Sequence, residues 1–235
     1  MTKYFTFSNV LFCVCLLVTT TLALIIGNIN VWIIWCSTIL GILASKHASQ
    51  GSWLTFLFDI LSYVFYINVC QVQKNYGEMF LSYIIILTHT FGIIEWKNHQ
   101  KNNVVSINKI KNNEFNFALF VAIFMIIIYS FFLHKIGSNL IFLNAFSTII
   151  FLLGNYFSYR RSVLQFYFWN LYEISYILIW LLGAIRGNIE GVLFLFGAIC
   201  ELTYNFIGIF KWQKLIQNKQ SQVKINCYIY KANNN

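Results

Sequence analysis

The chain has 235 residues, of which 59% are hydrophobic, 19% aromatic and only 10% charged, with a formal net charge of +9. Soluble domains carry about 25% charged residues, so this composition excludes a water-soluble globular enzyme and points to an integral membrane protein. Proline is absent, so any break in a helix must rely on the twelve glycines or on polar side chains.

A bilayer span needs about 20 apolar residues. Apolar segments fall near 6–26, 29–45, 53–72, 78–96, 116–134, 142–159, 163–183 and 190–212. In the first, Val10 to Ile26 is apolar enough to insert, and no small-residue cleavage site follows it, unlike a signal peptide. A spanning helix and a helix lying along the interface both fit residues 1–28. The next three segments form a group over 29–96. Residues 97–115 are the one connection long enough to be a linker, so 97–141 reads as a basic loop followed by a linking helix. A second group of three covers 142–212, and the Lys-, Gln- and Asn-rich tail 213–235 reads as solvated and disordered. The six cysteines are scattered without zinc or redox spacing and read as small buried hydrophobes.

Charge orients these segments. With the last seven spanning, one side collects Lys46, Lys97, Lys101, Lys109, Lys111, Arg160, Arg161, Lys211, Lys214, Lys219, Lys224 and Lys231. The other side holds only Lys74, Lys135 and Arg186. A bias of twelve against three puts the C-terminus in the cytoplasm of a multi-pass protein of the inner (plasma) membrane. Lys3 joins the basic side if the first segment also spans, which favours eight spans over seven. The positive charge is therefore a topology signal, and no basic soluble face suits a nucleic acid.

The two groups of three share features. Gly92-Ile-Ile-Glu-Trp96 closes one helix and Gly208-Ile-Phe-Lys-Trp212 another, an offset that pairs His89 with Asn205. Phe58-Asp59-Ile60 and Tyr172-Glu173-Ile174 each open a middle helix with an acid after an aromatic, pairing Asp59 with Glu173. Two three-helix units joined by one span enter the membrane from the same side and form parallel repeats, whose substrate sites lie at the repeat interface.

Polar and aromatic residues line one face of each of the last two segments. Gln165, Trp169, Glu173, Tyr176 and Trp180 recur at helical spacing, as do Glu201, Asn205, Gly208 and Trp212. A carboxylate near the middle of a membrane helix costs roughly 2.5–3.5 kcal/mol on insertion scales, so it faces a cavity, a partner or a pathway. The pattern points to a small polar ligand held by aromatics within the membrane.

The runs Asn144-Ala145-Phe146-Ser147-Thr148, Tyr159-Arg160-Arg161 and Gln165-Phe166-Tyr167-Phe168-Trp169, with Tyr76-Gly77-Glu78 and the closing Gly-x-x-x-Trp, resemble the PnuC family of vitamin-precursor transporters. The resemblance covers about residues 29–212. It implies an all-α, SWEET-like 3+1+3 membrane bundle with an extra N-terminal helix, and a homotrimer. It also implies facilitated diffusion of nicotinamide riboside, trapped by cytoplasmic phosphorylation after uptake. Three residues depart from the family pattern: Phe166 replaces its first Trp, Glu173 stands where it has Asn, and Asn144 where it often has Asp.

Nicotinamide riboside is a flat pyridinium cation bearing a carboxamide and a ribose. Trp169, Phe166 and Tyr172 or Tyr176 offer π faces for such a ring, worth about 0.5–2 kcal/mol. Glu173 suits the ribose hydroxyls or the positive charge, and Asn144, Asn155 and Asn205 offer amide donors and acceptors. Gln165 shares the stripe. His89 and Asp59 are candidates from the first group, although His89 also suits hydrogen-bonded packing and Asp59 also suits pairing with Lys46 or capping a helix. Trp96 and Trp212 lie at span ends, where interfacial anchoring is the commoner role.

The same inventory suits thiamine, another flat cation. A non-transporting receptor or assembly subunit, in which the stripes only join helices, is the alternative from a different class. No catalytic signature, nucleotide-binding loop or metal-ligand spacing is present, so the chain reads as a non-enzymatic protein needing no cofactor or metal. Its expected partners are the small-molecule substrate and the lipid bilayer, with no nucleic acid.

Overall fold

The computed structural model describes residues 2–72, 76–101, 104–138, 140–187 and 191–233. They form eight helices: α1 (Thr2–Ile26), α2 (Ile29–Gln50), α3 (Leu54–Val72), α4 (Tyr76–Asn98), α5 (Asn112–Lys135), α6 (Ile141–Tyr159), α7 (Leu164–Ile185) and α8 (Gly191–Asn233). Among the described residues, seven helices, α1 to α3 and α5 to α8, are long and apolar enough to cross a membrane. Two short strands, β1 (Gln100–Lys101) and β2 (Val104–Val105), pair antiparallel and are the one regular element other than helix among the described residues.

α2 packs against α3 and α8, α7 sits between α6 and α8, and α4 leans on α3. α5 touches the bundle through α6 and buries only Ala122 and Leu133, leaving Phe117, Phe120, Ile123 and Phe124 facing outward. An apolar exterior of this kind is what lipid requires. α1 lies alongside the bundle: Lys46 sits 4.8 Å from the Phe12 ring at one end, and Ala23 joins Val31 in a buried cluster at the other. Between these points Cys15 Sγ faces Cys200 Sγ at 2.7 Å, and Tyr204 donates a hydrogen bond to the Ser8 carbonyl at 2.7 Å.

The same corner is built twice. Gly51 (φ 72°) ends α2 and Arg161 (φ 56°) follows α6, both in the left-handed region. The Gly51 amide bonds to the Ala48 carbonyl and that of Ser52 to the His47 carbonyl; the Arg161 and Ser162 amides bond in the same way to Ser158 and Phe157. Ser52 and Ser162 then accept from the Leu54 and Leu164 amides, capping the next helix. Glycine adopts this backbone without strain, whereas an L side chain pays roughly 1–2 kcal/mol. Arg161 is held there by its contacts, Nη1 donating to Ser106 Oγ at 3.0 Å and Nε lying 3.4 Å from Glu95 Oε1.

Beyond each corner a phenylalanine ring fills the groove left by a glycine. A Cβ on Gly92 would meet the Phe56 ring at 2.6 Å, and one on Gly208 would meet Phe166 at 2.5 Å. Trp96 and Trp212 then stand edge-on to Phe56 and Phe166, at 5.0 and 5.2 Å between centroids. This pairing keeps His89 opposite Asn205. In the middle helices, however, Phe56 pairs with Phe166, so Asp59 falls opposite Trp169 and Tyr63 opposite Glu173. The pairing of Asp59 with Glu173 expected from the sequence is therefore displaced by one helical turn.

The segment after α4 bridges both corners. The Val105 amide donates to the Gly51 carbonyl and the Asn108 amide to the Arg161 carbonyl, each at 2.9 Å. Val105 is buried among Trp96, Trp212, Phe56 and Phe166. The described residues of 97–111 are thus a packed strap over the corner end of the bundle as well as a linker. The tail also differs from expectation, because α8 continues as helix to Asn233.

Candidate functional site

A central cavity of about 760 Å³, its mouth included, lies among α2, α3, α7 and α8. Trp169, Tyr172, Glu173 and Tyr176 project into it from α7, and Glu201 and Asn205 from α8. Their spacing of three or four residues places each set on one helix face, as the stripes anticipated. α3 adds Asp59, and α6 contributes only Phe151.

α2 carries no residue that charge or aromatic periodicity singles out, yet it supplies a whole wall. Ser37, Gly41, Ser45 and Ala48 line the cavity at helical spacing. The signal that was available is this run of small residues, which lets helices approach closely. Gly41 shows why smallness matters: a Cβ there would lie 2.7 Å from Glu201 Oε1. Across the same contact, a Cβ on Gly197 would meet Thr38 at 2.6 Å.

The polar groups of the cavity differ in how they are held. Asp59 Oδ2 lies 2.8 Å from His89 Nε2, and His89 Nδ1 lies 3.1 Å from the Tyr159 hydroxyl. Ser45 donates to Glu201 Oε2 at 3.1 Å. Trp169 donates from Nε1 to Asn155 Oδ1 at 3.1 Å, which sets the plane of its indole. Glu173 has no hydrogen-bond donor among the described residues. Asn205 is 1% exposed, and neither its amide nitrogen nor its oxygen finds a partner among them. A buried amide left unpaired costs about 1–3 kcal/mol, which a ligand bearing a donor and an acceptor would recover.

Among the expected residues, Trp169, Glu173, Tyr176, Asn205 and Asp59 meet in this cavity. Four others lie elsewhere. His89, 1% exposed, stands behind Asp59 rather than in the wall. Phe166 is spent on the Gly208 groove below the cavity. Gln165 is fully buried outside the cavity, with both amide atoms unpartnered among the described residues, and the structure gives it no ligand-facing role. Asn144 lines a second cavity, between α3–α4 and α6–α7. Asp59 pairs with His89 and not with Lys46, whose amine lies over Phe12. Trp96 and Trp212 are 0% and 1% exposed, so they form the floor beneath the cavity and are not interfacial anchors. The side chains of Tyr76 and Glu78 lie outside the described residues.

The chemistry available is that of binding. Three carboxylates and several π faces surround the space, and among the described residues neither lysine nor arginine lines it. Among the described residues no group of His, Cys, Asp and Glu is arranged to hold a metal ion.

Comparison with known proteins follows the same lines. Residues 31–214 match the model of a family described as nicotinamide mononucleotide transporter. A curated relative, the nicotinamide riboside transporter PnuC of Neisseria mucosa, is 21% identical over 202 residues, spanning 83% of this chain and 77% of that protein. A solved structure described as the vitamin B3 transporter PnuC superposes with a TM-score of 0.78 at 20% identity, covering 90% of this chain and 92% of the other. At that identity the likeness speaks for the fold.

Proposed function

The chain belongs to the nicotinamide mononucleotide transporter family, and on that footing we propose that it takes up nicotinamide riboside by facilitated diffusion, the substrate being trapped by cytoplasmic phosphorylation. The observation that carries this reading is the pairing of π faces with acids in one cavity: Trp169, Tyr172 and Tyr176 beside Glu173, Glu201 and Asp59. A flat cation gains from both. The same charges favour the riboside over the mononucleotide named in the family description, since a phosphate would face three carboxylates with no lysine or arginine among the described residues of the wall. Asn205, with both amide atoms unpartnered among the described residues, suits a carboxamide or a ribose hydroxyl pair.

The architecture we infer is a SWEET-like 3+1+3 bundle, with parallel units at 29–96 and 142–212. Residues 1–28 form an extra helix, 97–141 the strap and linking helix, and 213–235 a basic tail. The repeated corners at Gly51 and Arg161 support the two units, and the loop charges support a cytoplasmic C-terminus in the plasma membrane. A homotrimer follows from the family resemblance.

Uptake of labelled nicotinamide riboside and of thiamine, into cells lacking their own carriers for both, tests the reading. Saturable accumulation of the riboside, competed weakly by thiamine, is expected. Preferential thiamine uptake would transfer the assignment to that vitamin, and uptake of neither would favour a non-transporting role.

A further inference from the structure

Six aromatic side chains close into a ring on one side of the central cavity. Tyr63 meets Tyr66 at 6.1 Å and Phe151 at 6.2 Å between centroids. Phe151 meets Tyr172 at 4.6 Å, and Tyr172 meets Tyr176 at 5.3 Å. Phe194 completes the circuit, 6.2 Å from Tyr176 and 5.7 Å from Tyr66. The six come from α3, α6, α7 and α8, so the ring reaches across both halves of the chain. All of them line the central cavity, and all but Phe194 also line the second one. Two chambers therefore share one aromatic partition.

The second chamber, about 860 Å³ with its mouth, differs in chemistry from the first. No acid lines it among the described residues; besides the tyrosines of the ring its polar groups are Asn144, Ser82, Ser147 and Thr148, and Trp180 adds an indole. We propose that this chamber is a second ligand subsite, a vestibule in which a flat aromatic cation stacks against Trp180 and the partition before passing between the rings into the acidic chamber. The proposal rests on the substrate reading above and adds a site to it.

The physical basis is a graded pull. In the vestibule a cation meets π faces, which attract it, and neutral acceptors. In the central chamber it meets carboxylates as well, so it moves toward them. Rotamer changes of tyrosine need no backbone rearrangement, which suits rings of this kind to part and close around a planar solute. The aromatic faces on both sides of the partition let the solute exchange one stack for another during passage.

Equilibrium binding of nicotinamide riboside to the full chain in lipid nanodiscs tests this. Two sites per chain are expected, the weaker by at least tenfold. Asn144→Leu should abolish the weaker site and leave the tighter one, whereas Glu173→Gln should weaken the tighter one first. Ser147→Val, measured alongside, gives the same reading should Asn144→Leu fail to assemble. A single tight site up to millimolar riboside overturns the vestibule alone. Absence of any binding overturns the substrate reading and the vestibule with it.

Discussion

Trp96 and Trp212, at the ends of equivalent stretches of α4 and α8, pack against each other with ring centroids 5.8 Å apart. They meet where the two halves of the chain converge, under the central cavity and beneath the strap that carries Val105. Their environments are matched in rings but not in hydrogen bonds. Trp96 donates to the Ser158 carbonyl at 2.8 Å, while the Trp212 indole nitrogen is buried without a partner among the described residues.

That asymmetry predicts unequal costs for the same substitution. Trp96→Phe removes a hydrogen bond to the Ser158 carbonyl, which keeps the Arg161 amide as donor, whereas Trp212→Phe removes an indole N–H that has no partner among the described residues. Trp96→Phe should destabilise by about 1–2 kcal/mol more than Trp212→Phe. Thermal unfolding of the two variants in one detergent measures the difference. Equal costs would mean that ring packing alone holds this floor.

Asn205 gives a prediction in which stability and binding move in opposite directions. Replacing it with leucine removes two polar atoms that have no partner among the described residues from a site 1% exposed. Asn205→Leu should leave the free protein as stable as before or about 1 kcal/mol more stable. Affinity for nicotinamide riboside should fall at least tenfold. Unfolding midpoints with and without ligand report both effects, since a bound ligand raises the midpoint only where binding survives. A variant that is both destabilised and fully competent would show that Asn205 is a packing residue.

The helices and half of the site were legible in the sequence for one physical reason. A bilayer forces about 20 apolar residues per span, so the spans near 53–72 and 142–159 reappear almost unchanged as Leu54–Val72 and Ile141–Tyr159. Trp169, Glu173 and Asn205 were found because helical periodicity carries a polar face through an apolar segment. Hydropathy, however, does not distinguish the lipid-facing side of a helix from its packed side. Trp96 and Trp212 therefore read as interfacial residues although they are buried. The α2 wall was silent because Ser37, Gly41 and Ser45 act by being small. The polar tail helix and the strap over Gly51 and Arg161 leave no apolar period to detect.

His89 acts on the cavity through Asp59, which it holds at 2.8 Å from the far side of the wall. As a positioning residue it should be replaceable by a side chain that still donates. His89→Leu removes the donor and should raise the KM for riboside uptake by about tenfold or more, in keeping with the roughly 1.5–3 kcal/mol of a hydrogen bond to a charged group. His89→Gln should recover most of that loss. Initial rates over a range of substrate concentrations separate KM from maximal rate. Equal loss in both variants, confined to the maximal rate, would indicate a structural histidine.

Glu173 decides how the cavity treats charge. It lines the chamber with Trp169 and Tyr176, and no donor among the described residues compensates it, so it is the carboxylate most available to a cationic ring. If it serves as a counter-ion, Glu173→Gln should weaken binding of nicotinamide riboside more than binding of an uncharged analogue of the same shape. At an effective dielectric near 20, unit charges about 5 Å apart interact by roughly 3 kcal/mol, so the difference should reach tenfold even after partial screening. Asp59 and Glu201 remain in the variant and will blunt the effect, since both face the same space. Pairing each with the Gln substitution in a double-mutant cycle isolates the share due to Glu173. Competition assays with the charged and neutral ligands provide the measurement. Equal losses for the two would remove the counter-ion role and leave Glu173 as a hydrogen-bond acceptor for the ribose.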